Sequence, residues 1–303
     1  MIVRWGLGEL APLLAELSIE RPFLVASPRW DDSGLPAAAR WTEIPSHRIA
    51  VPAGVDGILG AGGGSAIDTA KAASAATGLQ LVSVPTTYSG AEWTEYYGVR
   101  DPDKRMVGGG GGANLAGIVY EPKFTLDLPR PESGGTAMNA LAHCVEALYP
   151  GDIESARRGA ALIVEWLPRV LEEPQDLAAR TYLLEGAAAA GEALAAHGLY
   201  LGHAMAQAIG GAYGLPHGAL NAICLPAAMR FNAHVAPLAL AVCPVETAEE
   251  LARLAGFTRL RDLGVPDEDL PALAAATAGR PGARANPRPA SPPEIVELLR
   301  SVW

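Results

Sequence analysis

Over its first 130 residues the chain alternates short apolar runs with helical stretches and glycine-rich turns. That rhythm predicts βαβ units and a parallel sheet. Leu10–Leu17 reads as a helix and Pro22–Ser27 as a strand ending at Pro28, while residues 30–52 are irregular and rich in proline. Gly57–Leu59 is a short buried strand that runs into GAGGGS at Gly60–Ser65, and Ala66–Thr77 is composed of good helix formers. Leu79–Val84 is a further strand, stopped by PTTYSG at Pro85–Gly90. Between Glu95 and Leu115 a charged turn, DPDKR, and the glycine run Gly108–Gly112 predict a flexible loop. Ala116–Tyr120 is the last strand expected.

After Leu128–Pro131 the apolar positions recur at the helical period, and strand patterns cease. Helices are expected over Glu132–Leu148, Ile153–Leu171, Leu177–Gly191, Ala193–Ile209, Ala219–Asn232, Thr247–Leu263, Leu270–Ala278 and Pro293–Val302. The chain is thus expected to divide into an α/β domain, residues 1–129, and an all-helical domain, residues 130–303. Gly279–Pro293 (GRPGARANPRPASPP) reads as an extended Pro-rich connection.

Within the helical half, Met138–Gly218 carries the candidate chemistry. Asn139 and His143 are four apart, as are His203 and Gln207, and residues i and i+4 share one helix face. His217 follows in the loop signal GLPHG. Three imidazoles on three segments can thereby meet in one pocket, since a buried histidine needs a polar partner. His47, His197 and His234 carry the blander reading of core or surface residues.

Composition narrows the function classes. Half the residues are hydrophobic and 18% are charged, with a formal charge of −10. A chain this acidic, without a basic patch, argues against nucleic acid. No apolar run is long enough to span a membrane, and MIVRWGLGEL lacks the pattern of a signal peptide. Three cysteines without CxxC spacing suggest reduced thiols and a cytoplasmic protein.

In the α/β half, a strand leading through GAGGGS into a helix suits a phosphate: glycine lets the backbone approach, and the free N–H groups at the helix start face an anion. Ser65 adds a hydroxyl, and Asp68, one turn on, can hold the helix start or a cofactor amide. The spacing is neither G-x-G-x-x-G nor a Walker loop. PTTYSGAE also stands at the carboxyl end of a strand, where open α/β sheets bind ligands.

GGGSAIDTAK, PTTYSGAE, VYEPKFTLDLP, MNALAHCVEALY, GHAMAQAIGGAYGLPHG and NPRP, taken in order, resemble the iron-containing alcohol dehydrogenase superfamily, and within it the maleylacetate reductase branch. The resemblance implies a dinucleotide-binding α/β domain, a helical catalytic domain, and NADH or NADPH in the cleft between them. Gly63, Gly64, Ser65 and Asp68 are then expected at the pyrophosphate, and Thr86, Thr87 and Ser89 towards the nicotinamide. Lys104, Thr125 and Leu128 are further cofactor contacts implied. Metal-dependent relatives coordinate a divalent cation with an Asp and three His, and those positions here are Asn139, His143, His203 and His217. A neutral amide in place of the acid argues against a resident metal; many metal-dependent relatives also have a histidine where this chain has Gln207.

The first expectation is therefore a metal-independent NAD(P)H-dependent reductase of a small oxo-acid or unsaturated keto acid, with His143, His203, His217 and Asn139 in its reaction centre. A metal-dependent (Fe or Zn) alcohol dehydrogenase is the second, and a dehydroquinate synthase-type cyclase or lyase the third, disfavoured by a helical half without lysine. A binding protein without catalysis is the last. An acidic substrate calls for an arginine near the pocket, and Arg100, Arg105 and Arg230 are the ones considered. A homodimer and a small-molecule substrate, with no nucleic-acid or membrane partner, complete the expectation.

Overall fold

The structure, a computed structural model, describes residues 1–101 and 106–303 and divides into two compact units, Met1–Asp127 and Leu128–Trp303. The division falls two residues ahead of the expected one.

In the first unit, β1 (Ile2–Trp5), β2 (Pro22–Ala26), β3 (Ala39–Trp41), β4 (Gly57–Gly62), β5 (Gln80–Pro85) and β8 (Asn114–Tyr120) form a parallel sheet in the order β1-β8-β5-β4-β2-β3. Helix α1 (Leu10–Glu16) covers one face and α2 (Gly64–Thr77) the other. Strand alternation sends Leu24, Leu59 and Val82 towards Leu13 on α1, and Phe23, Ile58 and Leu81 towards Ala70 and Ala73 on α2. Both faces are covered, so the central strands β2 and β4 are buried throughout. Gly60 is required by this packing: a Cβ there would stand 2.7 Å from that of Ala70.

Three elements differ from expectation. β1 and β3 are edge strands too short and too exposed to show an alternating pattern. The stretch expected to be a flexible glycine loop contains an antiparallel strand pair, β6 (Tyr97–Arg100) with β7 (Met106–Gly110), and the expected DPDKR turn, but for Asp101, lies outside the described residues. The β7 glycines permit close pairing, since a Cβ on Gly109 would lie 2.9 Å from the Tyr97 carbonyl oxygen and one on Gly110 2.7 Å from the Tyr97 hydroxyl.

The second unit contains α3 (Arg130–Ala147), α4 (Glu154–Glu172), α5 (Leu177–His197), α6 (Leu201–Tyr213), α7 (His217–Asn232), α8 (Pro237–Val242), α9 (Val245–Leu254), α10 (Leu270–Ala278), α11 (Pro281–Ala285) and α12 (Pro292–Ser301), and no strand. From Ser133 onward α3 is almost entirely buried, with α4, α5 and α7 packed around it. Small residues make this possible. A Cβ on Gly218 would fall 2.4 Å from the Gly135 carbonyl, so α7 crosses α3 backbone to backbone.

The expected break near Gly191 is absent, and α5 runs on to His197, ending where Gly198 takes φ 74°. α7 starts two residues early, so that His217 belongs to its first turn. The Pro-rich connection expected to be extended contains α11. Among the described residues no helix is long and apolar enough to cross a membrane.

Candidate functional site

Helix α3 carries Asn139 and His143 on one buried face, and its crossing with α7 at Gly135 and Gly218 brings His217 alongside them. The four expected residues do meet. Asn139 Nδ2 lies 2.9 Å from His143 Nε2, the His143 and His203 rings stack with centroids 4.5 Å apart, and the His203 and His217 centroids are 5.8 Å apart. His203 is fully buried, Asn139 and His143 are each 4% exposed, and His217 is half-buried. The cluster therefore reaches solvent on the His217 side.

Two residues that the sequence reading passed over complete the network. Asn221, one turn after His217 on α7, donates through Nδ2 to Asn139 Oδ1 at 2.7 Å and stands 2.9 Å from His217 Nε2. Glu146, one turn after His143, is wholly buried and accepts from His203 Nδ1 at 2.7 Å. Both lie at helical spacing from an expected histidine, so the period itself could have found them.

Glu146 has a second task. Its carboxylate accepts the backbone N–H groups of Tyr200, Gly202 and His203 at 2.7, 2.7 and 3.2 Å. It thus caps α6 from a neighbouring helix, supplying negative charge where the helix start is positive. Gly202 allows the approach, because a Cβ there would stand 3.0 Å from Oε1. The carboxylate is felt around it: burial pushes the Cys224 thiol up to about 12 and the Glu146 charge adds to the shift, as it does for the Tyr200 hydroxyl. With backbone N–H groups on both its oxygens, Glu146 acts as an acceptor, which makes Nδ1 the protonated ring nitrogen of His203. His203 Nε2 is buried without a hydrogen-bond partner.

In the first unit the glycine loop and the PTTYSG loop come together at the carboxyl ends of β4 and β5. Thr86 N donates to Gly62 O at 3.0 Å. A Cβ on Gly63 would meet Thr87 Cγ2 at 2.9 Å, and one on Gly64 would stand 3.5 Å from Ser89 Oγ. Gly62 holds φ 140°, and α2 begins with Gly63 at its N-cap and no side-chain cap. Ser65 is exposed in the first turn, and Thr87 Oγ1 is buried without a partner. A backbone cradle at an uncapped helix start fits an anion such as a dinucleotide diphosphate.

The remaining expected residues are placed differently. Asp68 forms an ion pair with the buried Lys71 at 3.0 Å and accepts from Gly98 N at 3.2 Å, tying α2 to β6. Lys71 in turn donates to the carbonyls of Ala91 and Tyr96 at 2.8 and 2.7 Å, stapling the loop after β5. Thr125 is fully buried and donates to Pro122 O at 2.8 Å. Leu128 belongs to the second unit, where its carbonyl accepts from Ser133 Oγ at 3.1 Å. Lys104 and Arg105 lie outside the described residues. Arg230 is paired with Glu249 at the surface. Arg280, which the sequence reading did not consider, donates to the Gln207 carbonyl at 3.0 Å.

The donor set does not fit a divalent cation. Amide nitrogens of Asn139 and Asn221 face the Nε2 atoms of His143 and His217, and the Asn139 oxygen accepts from Asn221. Hard cations prefer anionic oxygen, which is missing from this set. Among the described residues no group of three or more His, Cys, Asp or Glu side chains is arranged to hold a metal ion.

Comparison with known proteins shows the family. The family description "Fe-containing alcohol dehydrogenase family, C-terminal" matches residues 134–303, and "Iron-containing alcohol dehydrogenase" matches residues 47–113. A maleylacetate reductase from Pseudomonas knackmussii is 35% identical over 237 residues, covering 74% of this chain and 67% of that protein. Maleylacetate reductase 1 from Rhodococcus opacus is 30% identical over 309 residues, covering 97% of this chain and 84% of that protein. The crystal structure of maleylacetate reductase from Agrobacterium tumefaciens superposes with a TM-score of 0.87 at 26% identity, covering 100% of this chain and 95% of the other. A parallel-sheet unit with a glycine cradle, followed by a helical unit with three clustered imidazoles, thus belongs to the iron-containing alcohol dehydrogenase family in its maleylacetate reductase-like branch, and the chain is an NAD(P)H oxidoreductase of that family.

Proposed function

We propose that this protein is a metal-independent reductase that uses NADH or NADPH to reduce a small oxo-acid or unsaturated keto acid. The observation that carries the reading is the Asn139 amide, held between Asn221 and His143. In metal-dependent relatives an acid occupies this position; here a neutral group hydrogen-bonds the imidazole in place of an ion.

Gly63, Gly64 and Ser65 would hold the cofactor diphosphate on backbone N–H groups, with Thr86, Thr87 and Ser89 lining the same cradle. Held there, a reduced nicotinamide would supply a hydride. Addition of hydride to the carbonyl carbon breaks the C=O π bond and leaves its electron pair on oxygen, and that oxygen must take a proton. Asn139 and Gln207 have no proton to release at neutral pH, so the donor is an imidazole. His217, on the solvent side of the cluster, delivers it to the oxygen, with His203 and His143 behind it as further hydrogen-bonding groups. From an oxo-acid the organic product would be the hydroxy acid; from an unsaturated keto acid, hydride addition to the conjugated C=C and protonation of the α-carbon would give the saturated keto acid.

The test is metal content and chelation. Protein purified without added metal should reduce oxo-acids with a reduced nicotinamide and keep its activity in EDTA. Activity lost on chelation and restored by zinc, iron or manganese would overturn the metal-free reading in favour of a metal-dependent alcohol dehydrogenase. That second reading finds support in one atom, the unpartnered Nε2 of His203.

A further inference from the structure

Arg280 and Arg180 are the two arginines of residues 128–303 that are withdrawn from solvent, and they differ in how their charge is met. Arg180 is fully buried and each of its nitrogens finds an oxygen: Nε the Pro174 carbonyl at 3.0 Å, Nη1 the Ser133 hydroxyl at 2.8 Å, Nη2 the Leu128 carbonyl at 3.4 Å. Arg280 is less complete. Nη2 donates to the Gln207 carbonyl at 3.0 Å, and Nη1 reaches Gln207 Oε1 only at 3.4 Å. Nε is buried with no acceptor at all, and no carboxylate among the described residues pairs with the guanidinium. Burial pulls its pKa below the usual arginine value. A half-buried cation without a counter-charge is unfavourable, and an unmatched buried donor calls for a missing acceptor.

Its position says what the acceptor is for. His203, Gln207 and Gly211 follow one another at i, i+4 and i+8 along one stripe of α6. Arg280 lies on that stripe: it bonds Gln207, and a Cβ on Gly211 would come 3.6 Å from Nη2. The chain after it keeps to the same helix, since a Cβ on Gly282 would meet the Tyr200 carbonyl oxygen at 2.9 Å. One turn of α6 therefore separates the residue that Arg280 touches from the imidazole in the reaction centre.

We propose that Arg280 is a specificity-determining residue that anchors a carboxylate of the substrate on the His203–Gln207–Gly211 stripe of α6. A carboxylate accepts two parallel N–H groups of a guanidinium and neutralises it, a match that a carbonyl oxygen or a side-chain amide does not give. Gln207 is the weak partner that the incoming carboxylate displaces. The inference rests on the reading of this chain as an oxo-acid reductase, and the site is testable without turnover.

The experiment is binding of succinate, a dicarboxylate with no carbonyl to reduce, to the full chain by calorimetry, with uncharged succinamide as the control. Succinate should bind and succinamide should not; equal affinities in the unaltered protein would overturn the proposal, whether or not any variant folds. Arg280→Met should weaken succinate roughly tenfold or more, and Arg280→Lys, which keeps the charge but loses the fork, should fall between. Unchanged succinate affinity in a folded Arg280→Met protein also overturns the proposal. If succinate binding depends on Arg280 while no oxo-acid is reduced, the carboxylate site stands and the reductase reading falls. If oxo-acids are reduced equally well by Arg280→Met, with the same KM, the reductase reading stands and the anchor falls.

Discussion

Glu146 Oε2 and His203 Nδ1 stand 2.7 Å apart, both side chains fully out of solvent. The carboxylate settles which ring nitrogen carries the proton, as orienting groups beside catalytic imidazoles do. Glu146→Gln keeps the shape but, whichever oxygen it replaces, sets an NH2 group against two of the four N–H donors. We expect kcat to fall by about tenfold to a hundredfold, from the usual worth of hydrogen bonds to a charged group. Nitrogen NMR of the His203 ring should show loss of the single Nδ1–H tautomer, a signature that simple loosening of the fold does not produce; an unaltered tautomer and normal kcat would remove Glu146 from this role.

The three imidazoles differ from the others. His203→Ala and His217→Ala should each lower turnover by roughly 10²–10⁴-fold, the range for a positioned acid, and His143→Ala should act alike. Cofactor binding should survive, since the glycine cradle lies in the other unit. His197→Ala and His234→Ala serve as controls and should leave kinetics nearly unchanged. Near-normal turnover in folded His203→Ala and His217→Ala proteins would mean that the chemistry is elsewhere.

In the cradle, Gly63 has no room for a side chain beside Thr87. Gly63→Val should weaken NADH and NADPH at least tenfold, about 1.4 kcal/mol, read by fluorescence titration. Unchanged affinity for both would rule out this loop.

Asn139→Asp places an anionic oxygen at the centre of the histidine cluster. Affinity for zinc or manganese, measured by calorimetry, should rise by roughly tenfold or more, about 1.4 kcal/mol. No gain in metal affinity would show that the amide at this position does not disfavour a metal ion.

The crossing of α3 and α7 tolerates nothing larger than glycine on one side. Gly218→Ala forces backbone apart and should destabilise the fold by about 1–3 kcal/mol, seen as a lower midpoint in urea. Gly135→Ala is the milder change, because a Cβ there meets its nearest atoms at 3.4 Å. Equal midpoints for the two variants would contradict this account of the crossing.

Long helices with steady apolar spacing were legible in the sequence; α10 occupies the residues expected for it. So were the two loops at the strand ends and the convergence of Asn139, His143, His203 and His217. What escaped did so for physical reasons. β1 and β3 lie at sheet edges with half-exposed side chains, and β7 is exposed along its length, so burial imposes no period on them. The end of α5 is set by Gly198 together with a cap for α6 contributed from α3, a contact spanning more than fifty residues. Asn221 and Glu146 had a local signal in their spacing from a histidine. Arg280 had none: it lies in the Pro-rich connection itself, and its partner is 73 positions away.

One carboxylate both starts α6 and turns the His203 ring, and this has a dynamic consequence. The first turn of a helix is ordinarily the part that frays, opening at little cost while the rest stays folded. Here such opening would strip Glu146 of its backbone donors and leave a buried charge with only the imidazole to hold. Opening of the helix start is therefore costly, and His203 keeps its aim for as long as α3 and α6 remain docked.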